Sequence, residues 1–450
     1  MTDATHTLNK SSLTVSRVFK TWWPLATSWL FMLAEMPMQS AVIARLANPA
    51  INLAAYGGIV LPIAFTVEAP VVMLLAASTS LCKDWASYLK VRRFMMVLGA
   101  AVTAIHALIA FTPVYYLLVN ALIKPPQEII EPARVGLMIL TPFSWAIAYR
   151  RFNQGVLIRF GHSKAVGVGT AIRLGVNVST MVGLALLTDL SGVTVAASAI
   201  TFGIILEAIF IGIVVRPILG AQLRWATPVS PPLNLRTFVA FFLPLAMTEM
   251  LAILVEPAIS AAISRMPDPL NSLAVWPVLY GLVWVLFSGG IAYTEVVIAL
   301  LDEPNALSTL RRFALILLGT TLAASFLFAA TPLGEFWFGT LSGLPEPLAN
   351  MARTGLWLAV VAPCLAVLIG WFQGLIVHSG HTRGITEAVI GSLLLGGAIL
   401  LTGTLWGRVS GLYVGILAVT LSDTVRAIWL WRRSRAPLRR LSAQLTPAQT

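Results

Sequence analysis

Charged side chains are scarce in this chain. Asp and Glu number 18 and Lys and Arg 30 among 450 residues, 11% together, under half of the ~25% found in an ordinary soluble domain. A water-facing surface for a globule of this length needs more charge than that, so a soluble fold is excluded. Cysteine is nearly absent: Cys82 and Cys364 alone make neither a disulfide framework nor a zinc spacing. No G-x-x-x-x-G-K-[ST] loop occurs, so energy from ATP would have to come from another subunit. Ser, His and Asp do not gather on a soluble catalytic frame, and no enzyme is expected.

What the chain has in abundance is apolar side chain, 58% of all residues, and lipid must be the solvent for much of it. Twelve helices of about 20 residues each account for that supply. The predicted spans are Phe19–Ala44, Ile51–Ser78, Met95–Leu118, Val135–Phe152, Val166–Leu187, Val193–Val215, Thr237–Ile263, Leu273–Leu300, Phe313–Ala330, Thr354–Val377, Ala388–Thr404 and Gly411–Leu430. The expected class is an all-α polytopic membrane protein. A proline-rich break between Arg216 and Arg236 divides it into six-helix bundles at 1–225 and 226–450,.

The net charge of +12 is spread between apolar segments and not gathered into a nucleic-acid patch, so no nucleic-acid partner is expected. With the N-terminus in the cytoplasm, 22 Lys and Arg fall on the inside and 6 on the outside, leaving Arg173 and Arg426 within spans. That bias places both termini in the cytoplasm and the chain in the inner or plasma membrane. The polar stretch Met1–Ser16 does not resemble a cleaved signal, and the N-terminus is expected to be retained,.

The two halves repeat each other. At a shift of 220, Pro24-Leu25-Ala26 falls on Pro244-Leu245-Ala246, Pro37 on Pro257, Arg45 on Arg265 and Pro49 on Pro269,. At a shift of 219, Phe152-Asn153-Gln154-Gly155 and Gly161-His162-Ser163-Lys164 fall on Trp371-Phe372-Gln373-Gly374 and Gly380-His381-Thr382-Arg383. This second match, Gln154, Gly155, Gly161, Gln373, Gly374 and Gly380, is read as a cytoplasmic-turn motif after the fourth span of each half. Six helices per repeat is an even number, so the halves run the same way through the bilayer about a pseudo-twofold along its normal, with a central cavity.

Gln-Gly followed by Gly-His-Ser/Thr-Lys/Arg in both halves resembles the multidrug/oligosaccharidyl-lipid/polysaccharide flippase superfamily. Within it the chain is most similar to the progressive ankylosis branch. That likeness rests on Trp23-Pro24-Leu25, Ala55-Tyr56-Gly57, His106 to Phe111 with Tyr115-Tyr116, Pro257 with Ser264-Arg265, and Thr294-Glu295. The resemblance implies a 6+6 parallel transporter, and the branch implies export of organic anions such as nucleotide and citrate. Glu256 stands where that branch is expected to carry Arg.

Ionisable groups inside spans each cost about 2.5–3.5 kcal/mol at a helix centre unless protein or water receives them. Glu35, Glu68, Glu249, Glu256 and Glu295 have no basic residue within four positions and are candidate substrate- or ion-binding groups, together with Arg173,. Arg173 suits a carboxylate or phosphate through its planar fork, or an ion pair with one of the acids. Pro37 and Pro257 are expected to bend the first helix of each half beside Glu35 and Glu256. Glu207 has no partner in the sequence around it, whereas Asp423 has Arg426 three residues on and Glu387 has Arg383,. His378 and His381 have helical spacing, but the repeat places them on the cytoplasmic turn facing lipid phosphate, and no metal site is expected.

These observations predict a secondary exporter working by alternating access, an antiporter of a small solute, preferably an organic anion. A multidrug exporter of cations or amphiphiles and a flippase for a lipid-linked precursor are the rival transport readings. A membrane scaffold is the rival outside transport. No cofactor is expected beyond a proton or sodium as coupling ion. The partners are the solute and membrane lipids, and the working unit is a monomer.

Overall fold

The computed structural model describes residues 13–379 and 383–445, and every described element is helical. Ten helices are long and apolar enough to cross a membrane, which makes the chain a multi-pass membrane protein. In chain order these are α2 (Pro49–Leu81), α3 (Trp85–Phe111), α5 (Ser163–Leu187), α6 (Gly192–Trp225), α7 (Leu235–Ile263), α8 (Pro269–Leu300), α9 (Ala306–Ala330), α10 (Glu346–His378), α11 (Arg383–Trp406) and α12 (Gly411–Arg435). Two more helices occupy the first and fourth expected positions. Helix α1 is broken, Val15–Leu33 then Glu35–Ile43. Helix α4, Ile130–Arg159, carries Glu131, Arg134, Arg150, Arg151 and Arg159.

Polar caps and prolines set the boundaries. Helix α3 begins at Trp85, ten residues before the expected span, because Asp84 and Ser87 form a capping box: the Asp84 carboxylate accepts from the Ser87 amide at 2.8 Å and the Ser87 hydroxyl accepts from the Asp84 amide at 3.1 Å,. It ends at Phe111 and not at the expected Leu118, since Thr112-Pro113 cannot continue it,. Helix α10 starts earlier than expected and steps out of helix between Ala359 and Ala362.

The repeat is visible in the backbone. Asn48 (φ 52°) and Asp268 (φ 54°) both take the left-handed conformation just before Pro49 and Pro269, which open α2 and α8. Helices α1 and α7 break at Ala34 and Leu254, 220 residues apart. Pro37 and Pro257 lie three residues later in each, so the amide that would bond to Leu33 or Ile253 does not exist and the helix ends there,. The Thr201 hydroxyl donates to the Ile139 carbonyl at 3.3 Å and the Thr420 hydroxyl to the Leu358 carbonyl at 3.3 Å, the same α6 to α4 and α12 to α10 bond at a shift of 219.

By packing the chain divides into two units, Gln39–Pro277 and Met1–Met38 with Val278–Thr450. These units cut across the sequence halves, because most of α1 goes with the C-terminal helices and α7 with the N-terminal ones. In the first unit α6 packs on α4 and α5, α4 on α2 and α3, and α7 on α2. In the second, α12 packs on α10 and α11, and α9 packs on α10 and on α1. The second unit has a core of Tyr293, Val297, Leu310, Phe313, Trp371 and Leu375, with Trp22 packed against it and its indole donating to the Gly289 carbonyl at 2.9 Å.

Candidate functional site

In the unit Gln39–Pro277, α4, α5 and α6 converge on one buried carboxylate. Glu207 of α6 is fully buried. Its Oε2 lies 2.5 Å from Arg150 Nη1 and 3.2 Å from Arg173 Nε, while Oε1 accepts from Gln154 Nε2 at 3.0 Å. Arg150 and Gln154 sit four apart on α4 and so share its face,. The next residue, Arg151, is half-buried, feels Glu207 and Glu249 as opposite charges and Arg150 and Arg173 as like ones, and its Nε has no hydrogen-bond partner among the described residues. Three guanidinium groups against two carboxylates leave the cluster net positive. In a membrane interior such an excess is costly unless an anion or water meets it.

A pocket of about 260 Å³ opens beside this cluster, lined by Met73, Pro244, Leu245 and Glu249. Met73 is the one-residue step between the two helical stretches of α2, and Pro244 lies inside α7. Both are places where a main-chain hydrogen bond is missing or distorted, so the helices part there.

The repeat reproduces this arrangement with its polarity reversed. At a shift of 219, Gln154 becomes Gln373 and Glu207 becomes Arg426, and Arg426 Nη2 donates to Gln373 Oε1 at 3.2 Å. A carboxamide can do both, donating through nitrogen to a carboxylate and accepting through oxygen from a guanidinium. Asp423, one turn before Arg426, feels its charge.

The sequence reading requires correction at several points. Of the two readings of Arg173 the ion pair is the one seen: it is 8% exposed and engaged by Glu207. Glu207 is not partnerless, because its partners come from two other helices. Gln154, Gly155, Gln373 and Gly374 are not on a turn but within α4 and α10: α4 continues past its expected end at Phe152, and Gln373 and Gly374 lie inside the expected tenth span itself. A Cβ on Gly155 would stand 1.9 Å from Ser78 Oγ, and one on Gly374 2.7 Å from Val297 Cβ, the residue 219 after Ser78. These glycines are close helix contacts. Gly161 does sit at the turn, with φ 80°, while Gly380 and His381 lie outside the described residues.

The other candidates are dispersed. Glu68 is buried near His106, whose Nδ1 is 3.8 Å from Glu68 Oε1. Glu35 is half-buried at the α1 break, beside Pro37, which packs on Gly281. Glu256 lies against the Trp276 indole just after the α7 break. Glu295 is exposed and accepts from Trp29 Nε1 at 3.0 Å. Glu387 pairs with Arg383 and Arg433, and His378 Nε2 is 3.1 Å from Asp302. Arg150 and His106 escaped the sequence reading as site residues. Arg150, at the end of the fourth expected span, was counted among the inside charges, and the signals for His106 were its place near the centre of the third span and in the resemblance.

No protein-family model matches the sequence, and no curated protein matches it. Solved structures do. An inward-facing multidrug resistance MATE family transporter of the MOP superfamily superposes with a TM-score of 0.71 at 14% identity, over 96% of this chain and 100% of that one. The chain shares the fold of that structure. Lipid II flippase MurJ in an inward closed conformation also reaches 0.71 at 14% identity, over 94% of this chain and 90% of MurJ. A MOP superfamily transporter from Pyrococcus furiosus, whose binding pocket is described as reversed in polarity, reaches 0.64 at 14% identity, over 96% and 100%. Identity this low carries the fold alone.

Proposed function

We propose that the protein is a secondary active transporter that exports a small organic anion by alternating access, driven by a proton or sodium gradient across the inner or plasma membrane. The observation that supports transport is the end-to-end likeness to MATE transporters, which leaves almost none of this chain for another activity. Support for an anion comes from the positive excess around Glu207 and from the buried Arg151 Nε, which has no hydrogen-bond partner among the described residues. A carboxylate or phosphate oxygen satisfies such a group through a charge-assisted bond. A single chain contains the whole fold, and both termini face the cytoplasm by the inside excess of Lys and Arg.

The equal TM-score with MurJ favours a second reading, a lipid-linked precursor whose phosphate would meet the same arginines.

The test is flux into vesicles bearing the purified protein under an imposed pH or sodium gradient, with citrate as anionic and ethidium as cationic probe. Citrate flux is expected, falling about tenfold in Arg151→Gln, the equivalent of one lost charge-assisted bond. Ethidium flux alone replaces the anion with a cationic drug, and no flux of either under any gradient removes the transporter reading.

A further inference from the structure

From Thr424 to Thr450 the chain carries Arg426, Arg432, Arg433, Arg435, Arg439 and Arg440 and no Asp or Glu. All but Arg426 follow Leu430, where the apolar run of α12 ends, yet the same helix continues to Leu445. Bases clustered directly beyond a membrane-spanning helix lie in the layer of lipid headgroups.

The inner face of this extension is fixed by the protein. Leu430, Ser434 and Leu438 lie four residues apart and so share one side of the helix,. Leu430 clusters with Ile376 of α10 and Ala388 of α11, Ser434 is fully buried, and Leu438 packs against the core that includes Leu13, Val18 and Leu310. The extension is therefore docked on the unit Met1–Met38 with Val278–Thr450. Arg433 on its flank is already engaged: it bonds to Glu387, which also pairs with Arg383, and its guanidinium lies 5.6 Å from the centroid of the Trp429 ring.

The outer face has a different composition. Leu417, Leu421, Ile428, Trp431 and Arg435 are exposed and, with half-buried Thr424 among them, recur every three or four residues, so they form one stripe along α12,. Arg432 lies beside it, four residues after Ile428 and three before Arg435,. The stripe changes chemistry with depth. From Leu421 to Trp431 the helix rises about 15 Å, half of the ~30 Å hydrocarbon core, and Arg435 lies about 6 Å further on, at headgroup depth. Arg435 Cζ is 4.1 Å from the centroid of the Trp431 ring, which holds the guanidinium over an interfacial aromatic. Neither Arg432 nor Arg435 forms an ion pair among the described residues.

We propose that this stripe binds an anionic phospholipid, with its acyl chain along Leu421 and Ile428 and its phosphate at Arg432 and Arg435 beside Trp431. The apolar seam runs into the basic end without a break, which matches a phosphate that carries an acyl chain and not a free one. A guanidinium fork gives a phosphate two parallel charge-assisted bonds. No carboxylate stands on the exposed stripe, so the ammonium of a zwitterionic headgroup would meet arginine with nothing to receive it. A headgroup of net negative charge is selected.

Native mass spectrometry of the full-length protein tests this, after equilibration in micelles holding equal amounts of phosphatidylglycerol and phosphatidylcholine of one chain length. The unmodified protein is expected to retain phosphatidylglycerol in preference. Each arginine at the headgroup should account for about fivefold of that ratio, so Arg432→Gln lowers it about fivefold and Arg432→Gln with Arg435→Gln brings it near one. Arg432→Lys with Arg435→Lys keeps the charge and should retain a preference, which covers the case of a double Gln variant that does not fold. Arg408→Gln, at the other end of α12, should leave the ratio unchanged. Equal retention of the two lipids by the unmodified protein overturns the proposal. So does an undiminished ratio in the double Gln variant, or an equal fall in Arg408→Gln. Loss of the preference on replacing chloride by inorganic phosphate at the same ionic strength would assign the arginines to a free anion and overturn it as well.

Discussion

Gly57 abuts Pro277, the residue 220 positions further on and its own counterpart in the internal repeat. A Cβ at Gly57 would lie 2.6 Å from Pro277 Cγ and 2.8 Å from its Cβ. Only a residue without a side chain fits against a proline ring at that distance.

Gly57→Ala is therefore expected to cost about 1–3 kcal/mol through overpacking. The double variant Gly57→Ala with Pro277→Ala should recover most of the loss, because the ring that clashes is gone. Thermal unfolding in detergent of the single and double variants measures both. An unaltered melting temperature for the single variant would show that the two helices separate freely here.

Glu207 neutralises guanidinium groups from two helices, so Glu207→Gln removes their shared counter-charge from the interior. A loss of about 3–5 kcal/mol follows for removal of one partner of a buried pair. Adding Arg150→Met removes one of the charges Glu207 had balanced and should restore part of it. Thermal melts of the two variants give the comparison, and a double variant less stable than the single one contradicts the pairing.

Asp84 ties the α2–α3 turn to the linker before α7. Its Oδ2 accepts from the Val229 amide at 2.8 Å, and Lys90 Nζ donates to the Leu233 carbonyl at 2.7 Å. Burial by itself would raise the Asp84 carboxyl, but the bonds from Ser87 and from the Val229 amide outweigh it and hold it below its ordinary value,. A carboxyl depressed in the folded state binds fewer protons there than when unfolded. Its contribution is present above the unfolded value and is lost as pH falls through the folded one. Stability measured from neutral to acid pH should fall less steeply in Asp84→Asn, with lower stability at neutral pH.

Gly155 and Gly167 separate close packing from helix propensity. A Cβ at Gly155 meets Ser78 Oγ and the Leu75 carbonyl, whereas one at Gly167 meets nothing within 4 Å. Gly155→Ala should destabilise by about 1–3 kcal/mol, and Gly167→Ala should be neutral or stabilising by up to about 1 kcal/mol. Equal melting shifts in the two variants would contradict this assignment of the Gln-Gly motif.

Much of the site was partly legible. Arg173 stood out as an arginine inside a span, and Gln154 as half of a repeated Gln-Gly. Their meeting on Glu207 was not legible, because the three residues lie on α5, α4 and α6 and each helix supplies only one side of the contact. Glu68 was marked by the cost of a charge in lipid, yet His106 went unpaired with it, since 38 residues and a change of helix separate them.

The sequence alone determined that this chain lives in lipid, that it is built of helices, and that it repeats itself with prolines breaking the first helix of each copy. Hydropathy, helix length and proline's missing donor act within one segment, so they can be read from one segment. Tertiary structure alone decided which units the helices form, with α1 and α7 leaving their own halves. It also decided that one repeat sets a carboxylate against its glutamine and the other a guanidinium. Packing and charge pairing act between helices far apart in the chain, and an intramembrane ion chooses its partner from whatever the fold brings within about 4 Å of it.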